Sequence, residues 1–215
     1  MIGNPVVPPN FAISIDISFK PLYKMNNTFS LLPADCADHE LMELVERIYI
    51  DSFPVAERRP FLKFMQLLSE NTYFRLYIIR RHHEAVGFIT TWNFESFVYV
   101  EHFALQADKR GGGTGSFAIQ EISRMSPLPV LLEVEPPLEE MAQRRISFYE
   151  RAGFRLWPQL PYMQPPYEPE GDEVELVLMT KGEIDLESCY EAVVSQIYRE
   201  VYQATPERYL KQKTK

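Results

Sequence analysis

Four of the chain's nine glycines fall within five positions, Gly111, Gly112, Gly113 and Gly115, with Thr114 among them. Glycine costs backbone entropy on folding, so such a cluster needs a use. What it offers is close backbone approach and freedom at positive φ. Set between a strand and a helix, it would aim several N–H groups and a helix N-terminus at one point, which is a phosphate cradle. A Walker A loop needs Lys-Ser or Lys-Thr after its glycines, and none follows here. Gly113-Thr114-Gly115-Ser116-Phe117-Ala118 does match the dinucleotide pattern GxGxxA, with Glu133 about 20 residues on. That pattern requires a strand running into its first glycine inside a βαβ unit. Here Gln106–Arg110 intervene after Leu105, and the strand closes an antiparallel meander, so a nucleotide-binding dehydrogenase is disfavoured.

Other chemistry-bearing pairs are weaker. His82-His83 sits between two strand patterns, where adjacent side chains point to opposite sides, so no metal pair is expected. Cys36 and Cys189 are far apart and neither belongs to a CxxC, which argues against a disulfide scaffold or a cysteine-rich zinc site.

The elements that must position the glycine cluster follow from periodicity. Thr28–Leu32 reads as a strand. Leu41, Leu44, Val45, Ile48 and Ser52 share a helix face with Asp38 as N-cap. Pro60 suits the first position of a second helix carrying Phe61, Phe64, Met65 and Leu68. Phe74–Arg80, Val86–Phe94 and Phe97–Leu105 are rich in aromatic and β-branched residues, and their short connections predict antiparallel hairpins. On the third of these, Glu101 and His102 are expected on opposite faces. After the glycines come a helix, a strand over Val130–Glu135, a helix over Leu138–Ala152 stopped by Gly153, and a short strand over Phe154–Trp157. The five prolines of residues 158–169 predict a loop. Glu173–Thr180 is the last strand, and Tyr190, Val193, Val194, Ile197 and Val201 mark an amphipathic helix. The expected division is an N-terminal extension over 1–27, one α+β domain over 28–181, and a C-terminal helix with a basic tail over 182–215.

Composition narrows the function classes. Hydrophobic residues make up 46% and charged residues 24%, as in an ordinary globular chain. Lys and Arg total 22 against 30 Asp and Glu, a net charge of −8, so neither nucleic acid nor an anionic membrane is an expected partner. No apolar run approaches the roughly 18 residues of a membrane span, and Met1–Phe11 shows no signal peptide, so a cytoplasmic location is expected.

Arg110-Gly111-Gly112-Gly113-Thr114-Gly115 has the form (Gln/Arg)-x-x-Gly-x-(Gly/Ala) between strand and helix. It resembles the pyrophosphate loop of the GNAT superfamily, the Gcn5-related N-acetyltransferases. Val100–Leu105 looks like that family's fourth strand, and Tyr149-Glu150-Arg151-Ala152-Gly153-Phe154 is similar to its Tyr-x-x-x-Gly-Phe signature. The element order agrees over residues 28–181. Ala142 and Arg145 depart from the Asn and Ala often found before that tyrosine, and Thr114 from the usual apolar loop residue.

The resemblance implies a mixed α+β fold, a mostly antiparallel sheet of about seven strands splayed between the fourth and fifth, with flanking helices. It implies acetyl-CoA as cosubstrate, no metal, and a small-molecule or peptide amine as acceptor, with direct attack through a ternary complex. Cofactor contacts would come from Phe103, Ala104 and Leu105 along the fourth strand, then Arg110, Gly111, Gly112, Gly113, Thr114, Gly115 and Ser116. A base must deprotonate the amine: Glu101 is the first candidate by position and Glu135 the second. Tyr149 matches the tyrosine that protonates the departing thiolate. A non-catalytic CoA-binding module is the alternative reading, and the C-terminal helix could pack in cis or build a homodimer.

Overall fold

A computed structural model describes residues 28–210; the expected N-terminal extension and the basic tail lie outside the described residues. Eight strands and six α-helices are found among them, with two short 3-10 turns at Val55–Glu57 and Ala107–Lys109. The order is β1 (Phe29–Ala34), α1 (His39–Ser52), α2 (Phe61–Glu70), β2 (Phe74–Arg81), β3 (Glu84–Asn93), β4 (Val98–Leu105) and α3 (Thr114–Met125). Then come β5 (Val130–Val134), α4 (Glu140–Arg151), β6 (Arg155–Leu156), β7 (Tyr162–Gln164), β8 (Val174–Lys181), α5 (Leu186–Glu200) and α6 (Pro206–Leu210). None of these helices is long and apolar enough to cross a membrane.

The sheet order is β1-β2-β3-β4-β5-β8-β6, with β7 also paired to β8. All pairs are antiparallel except β4–β5. The mixed sheet expected from the sequence is therefore present, with one strand more. That strand is β7, inside the segment read as a proline-rich loop. Its three residues lie between Pro161 and Pro165, too few to give an alternation signal, and it forms because β8 offers it a free edge.

Local rules account for the ends of the elements. The Asp38 carboxylate accepts the Leu41 N–H at 3.0 Å and caps α1, worth about 1 kcal/mol. Pro60 stands one position earlier than expected, as the N-cap of α2. Gly153, at φ +92°, ends α4: its N–H reaches the Glu150 carbonyl at 2.9 Å and the Phe154 N–H reaches that of Tyr149 at 3.0 Å, a Schellman motif. His82 and His83 form the β2–β3 turn, both at positive φ (48° and 75°).

Two apolar layers sandwich the sheet. One joins α1, α2, α5 and α6 to its first face through Phe64, Phe88, Trp92, Tyr99, Leu131, Val194 and Tyr198. The other joins α3 and α4 to the second face through Ile89, Val100, Ala118, Ile119, Leu132, Ile146 and Tyr149. The amphipathic C-terminal helix thus packs in cis, with Val194 and Ile197 fully buried. Burial of each such side chain stabilises by about 1.5–3 kcal/mol.

Two irregularities open the sheet at one point. The β3–β4 register shifts between Ile89↔Phe103 and Thr91↔Val100, so Glu101 and His102 together face Thr90. This bulge puts both side chains on the first face. The expected opposition of Glu101 and His102 is corrected accordingly, because alternation fails where two residues oppose one. Next to it, β4 and β5 pair only from Val98↔Val130 to Val100↔Leu132 and then part.

Candidate active site

The parting of β4 and β5 creates a cavity of about 660 Å³. Glu101 to Leu105 line one wall and Leu132 to Glu135 the other, with the glycine loop at one end and Glu57, Tyr167 and Tyr202 at the other.

Gly111, Gly112 and Gly113 hold φ of +88°, +62° and +84° in succession, and Gly113 caps α3. A Cβ on Gly111 or Gly113 would meet nothing within 4 Å, so it is the left-handed backbone, not space, that demands glycine there. Such a run turns successive N–H groups toward one side, and the first N–H groups of α3 have no carbonyl to reach within the helix. Arg110 is exposed beside the loop, its Nε 3.4 Å from the Leu105 carbonyl. Of the residues expected to hold a cofactor, Phe103, Ala104, Leu105, Arg110, Gly111, Gly113, Gly115 and Ser116 line the cavity. Two expected residues stand apart from it. Gly112 backs onto the Arg81 guanidinium, and Thr114 is buried in the α3 interface with its hydroxyl unpartnered. Thr114 is thus turned into the core at the first position of α3, whereas Gly112 stays exposed on the side of Arg81.

The carboxylates differ sharply in their surroundings. Glu101, its side chain 1% exposed, accepts from Arg59 Nη1 at 3.1 Å and Nη2 at 2.5 Å, from Trp92 Nε1 at 2.9 Å and from the Tyr167 hydroxyl at 3.0 Å. His102 Nδ1 lies 3.6 Å away. Burial alone would raise the Glu101 carboxyl, but the Arg59 charge, with His102, overcomes it and holds the group well below the usual carboxylate range. A carboxylate with every lone pair so engaged is a weak proton acceptor. Arg59 is itself fixed: it donates to the Val201 carbonyl at 3.2 Å and lies 4.7 Å from the centre of the Tyr167 ring. Glu135, at the open end of the cavity, is 40% exposed and paired with Arg145. Glu57 is pushed upward by burial and by the Glu135 charge, against Arg145 and His102.

Glu133 has a different setting. It accepts from the Tyr162 hydroxyl and, at 3.0 Å, from the Tyr202 hydroxyl, which lies 3.1 Å from that of Tyr99. Burial pushes its carboxyl up to about 7, aided by the Glu101 charge and opposed by the tyrosine hydroxyls.

Tyr149 lies in α4 among the second-face apolar residues, yet its ring borders the cavity. Burial raises its hydroxyl to about 12, with Arg145 opposing, and that hydroxyl makes no hydrogen bond among the described residues. The proline-rich segment supplies Tyr162, Gln164 and Tyr167 to the site, while the Met163 carbonyl accepts from the Tyr198 hydroxyl instead. Trp92 and Tyr99 are core residues; the Trp92 indole N–H donates to Glu101, and the Tyr99 hydroxyl meets that of Tyr202.

Sequence reasoning missed Arg59 and Tyr202, and it took Glu133 only as the acid of a dinucleotide pattern. Arg59 meets Glu101 across 42 residues, and nothing in Arg58-Arg59-Pro60 tells which arginine is buried. Glu133 did leave a signal: it is the one charge within Val130–Val134.

No family model matches the chain. Among curated proteins it is similar to "Putative acetyltransferase YjbC" of Bacillus subtilis (strain 168), 36% identical over 64 residues, which is 29% of this chain and only 33% of that protein. Among solved structures, Arabidopsis thaliana Naa50, in complex with the bisubstrate analogue CoA-Ac-MVNAL, shares the fold at 19% identity and a TM-score of 0.53, over 73% of this chain and 99% of that one. A "Putative acetyltransferase from GNAT family" of Bacteroides thetaiotaomicron superposes with a TM-score of 0.78 at 36% identity, over 82% of this chain and 99% of that one. Identity at that level over nearly the whole of the Bacteroides protein, joined to the parted β4–β5 pair and the glycine loop beside it, shows that the chain belongs to the GNAT family of acetyltransferases.

Proposed function

We propose that the protein moves an acetyl group from acetyl-CoA to a primary amine, with both substrates held together at the β4–β5 opening. One observation supports this most: one cavity joins a loop of left-handed glycines to a wall of carboxylates at the point where two strands leave each other's hydrogen bonds free. That Arabidopsis thaliana Naa50, which shares the fold, was solved with the bisubstrate analogue CoA-Ac-MVNAL supports this reading.

In this reading the amides of Gly111, Gly113, Gly115 and Ser116, the α3 N-terminus and Arg110 meet the pyrophosphate. The backbone of Phe103 and Leu105, past the last β4–β5 pair, bonds the extended pantetheine arm as a further strand would. One of these β4 amides polarises the thioester carbonyl as negative charge develops on its oxygen. The amine nitrogen attacks the acetyl carbon, the C–S bond breaks, and the Tyr149 hydroxyl protonates the departing sulfur. With Glu101 paired to Arg59 and Glu135 to Arg145, Glu57 and the ionised form of Glu133 are the carboxylates left to draw an ammonium to the acceptor end.

Thermal unfolding with acetyl-CoA, and with NAD as control, tests the donor. A ligand at 100 times its Kd adds about 2.7 kcal/mol of stability. A rise in Tm with acetyl-CoA alone supports the reading; no rise removes its donor site.

A further inference from the structure

We propose that Glu133, rather than Glu101 or Glu135, is the base that takes the proton from the attacking ammonium, and that the Arg59–Glu101 pair is a fixed anchor behind it. This rests on the acetyl-transfer reading.

Glu133 stands one residue beyond Leu132, the last β5 residue paired to β4, on the same face as Leu131 and directly at the opening. Glu101 is neutralised by Arg59 and Glu135 by Arg145. Glu133 alone of these three is held only by neutral donors. Tyr162 comes from β7 and Tyr202 from the end of α5, and because Tyr202 gives its proton to Glu133, it accepts that of Tyr99 on β4. The remaining titratable groups that act on it are Glu101 on β4 and Tyr198 on α5. Hydroxyls orient the carboxylate without removing its basicity as a guanidinium does. A carboxyl that titrates at about 7 suits general-base work at neutral pH, being ionised for a useful fraction of molecules while still able to hold a proton.

The proton count closes. The ammonium gives one proton to the Glu133 carboxylate and becomes the free amine. The nitrogen attacks the acetyl carbon as the C–S bond breaks. Its second proton passes to the sulfur by way of the Tyr149 hydroxyl. Glu133 then releases its proton to solvent, so an ammonium and acetyl-CoA give an amide, CoA thiol and one proton.

The test is the pH profile of kcat/KM with spermidine, lysine ethyl ester and a short peptide with a free N-terminus, for the wild type, Glu133→Gln and Glu133→Asp. Acetyl-CoA binding is followed in parallel by melting. The expected result is a wild-type acid limb near pH 7, a loss of about 10²–10⁴-fold with disappearance of that limb in Glu133→Gln, and a weaker but pH-dependent rate in Glu133→Asp, with acetyl-CoA binding kept in both. Glu133→Gln retaining the wild-type rate and limb overturns the base assignment and leaves acetyl transfer standing. A wild type that binds acetyl-CoA and acetylates none of the three amines overturns the transfer reading and the base with it. Infrared titration of the wild-type carboxyls needs no variant: a carboxyl protonating near neutral pH supports the proposal, and none doing so overturns it.

Discussion

A buried guanidinium decides what Glu101 can do. Arg59 and Glu101 bond through two nitrogens and two oxygens in a site closed to water, so each charge depends on the other. Glu101→Gln leaves Arg59 charged and unpaired, and is expected to cost about 3–5 kcal/mol of stability. Adding Arg59→Met to it should recover part of that loss. Denaturant unfolding of the two variants checks this, and a Glu101→Gln protein as stable as the wild type would contradict the anchor role. Tyr149 is tested differently. Its hydroxyl is unpartnered at the cavity, so Tyr149→Phe should lower kcat well before it weakens acetyl-CoA binding, since the donor is used as the C–S bond breaks. Equal kcat in the two proteins would return Tyr149 to a core role. At this scale the sequence was half readable. Tyr149 stood in a local signature, and Glu101 could be placed on its strand. What Glu101 touches could not be read, because Arg59, Trp92 and Tyr167 come from three separate elements.

Elements whose signals are local were legible. Asp38 capped α1, the β2–β3–β4 meander followed from aromatic and β-branched segments joined by short connections, and Gly153 stopped α4. The bulge at Glu101–His102 and the strand β7 were not, since both arise from what the neighbouring strand offers. Two turns carry predictions. His82 and His83 hold left-handed φ values in a two-residue hairpin, a conformation that suits Asn-Gly. Replacing them by Asn and Gly relieves left-handed strain of about 1–2 kcal/mol per residue, offset at the Gly by about 0.5–1 kcal/mol of added unfolded-chain entropy, so a higher Tm is expected; a lower Tm would mean that the histidine side chains contribute something the backbone does not explain. Gly113 is the converse. Gly113→Ala places a side chain at φ +84°, a strain of about 1–2 kcal/mol, at the cap of α3. The acetyl-CoA melting shift should shrink by more than the unliganded Tm falls. An undiminished shift would show that the loop backbone does not need this conformation to bind the donor.

For the whole molecule, the sheet is opened at one place and the two helical layers close over it from either side. The α3–α4 layer brings the glycine loop and Tyr149, and the α1–α2–α5–α6 layer brings Arg59 and Tyr202. The family could be read from the glycine loop and the Tyr149–Phe154 signature, while the share of the C-terminal helix in the site could not, because its pattern shows only that one face is apolar. Global stability reports on this closure. Native Glu133 keeps its proton up to about pH 7, whereas an ordinary carboxyl releases it near 4.5. The native state therefore binds more protons than the unfolded one between those values, and stability from this group is full below pH 4.5 and lost as pH rises toward 7. Glu133→Gln should flatten that part of the stability–pH curve; an unchanged slope would place its source elsewhere. Acetyl transfer at the β4–β5 opening is read as release of CoA thiol from acetyl-CoA in the presence of a primary amine, with the product identified by mass spectrometry. Thiol is expected to be released in step with an N-acetylated amine. Acetyl-CoA left intact with every amine tried, or thiol released without acetylated product, would contradict it.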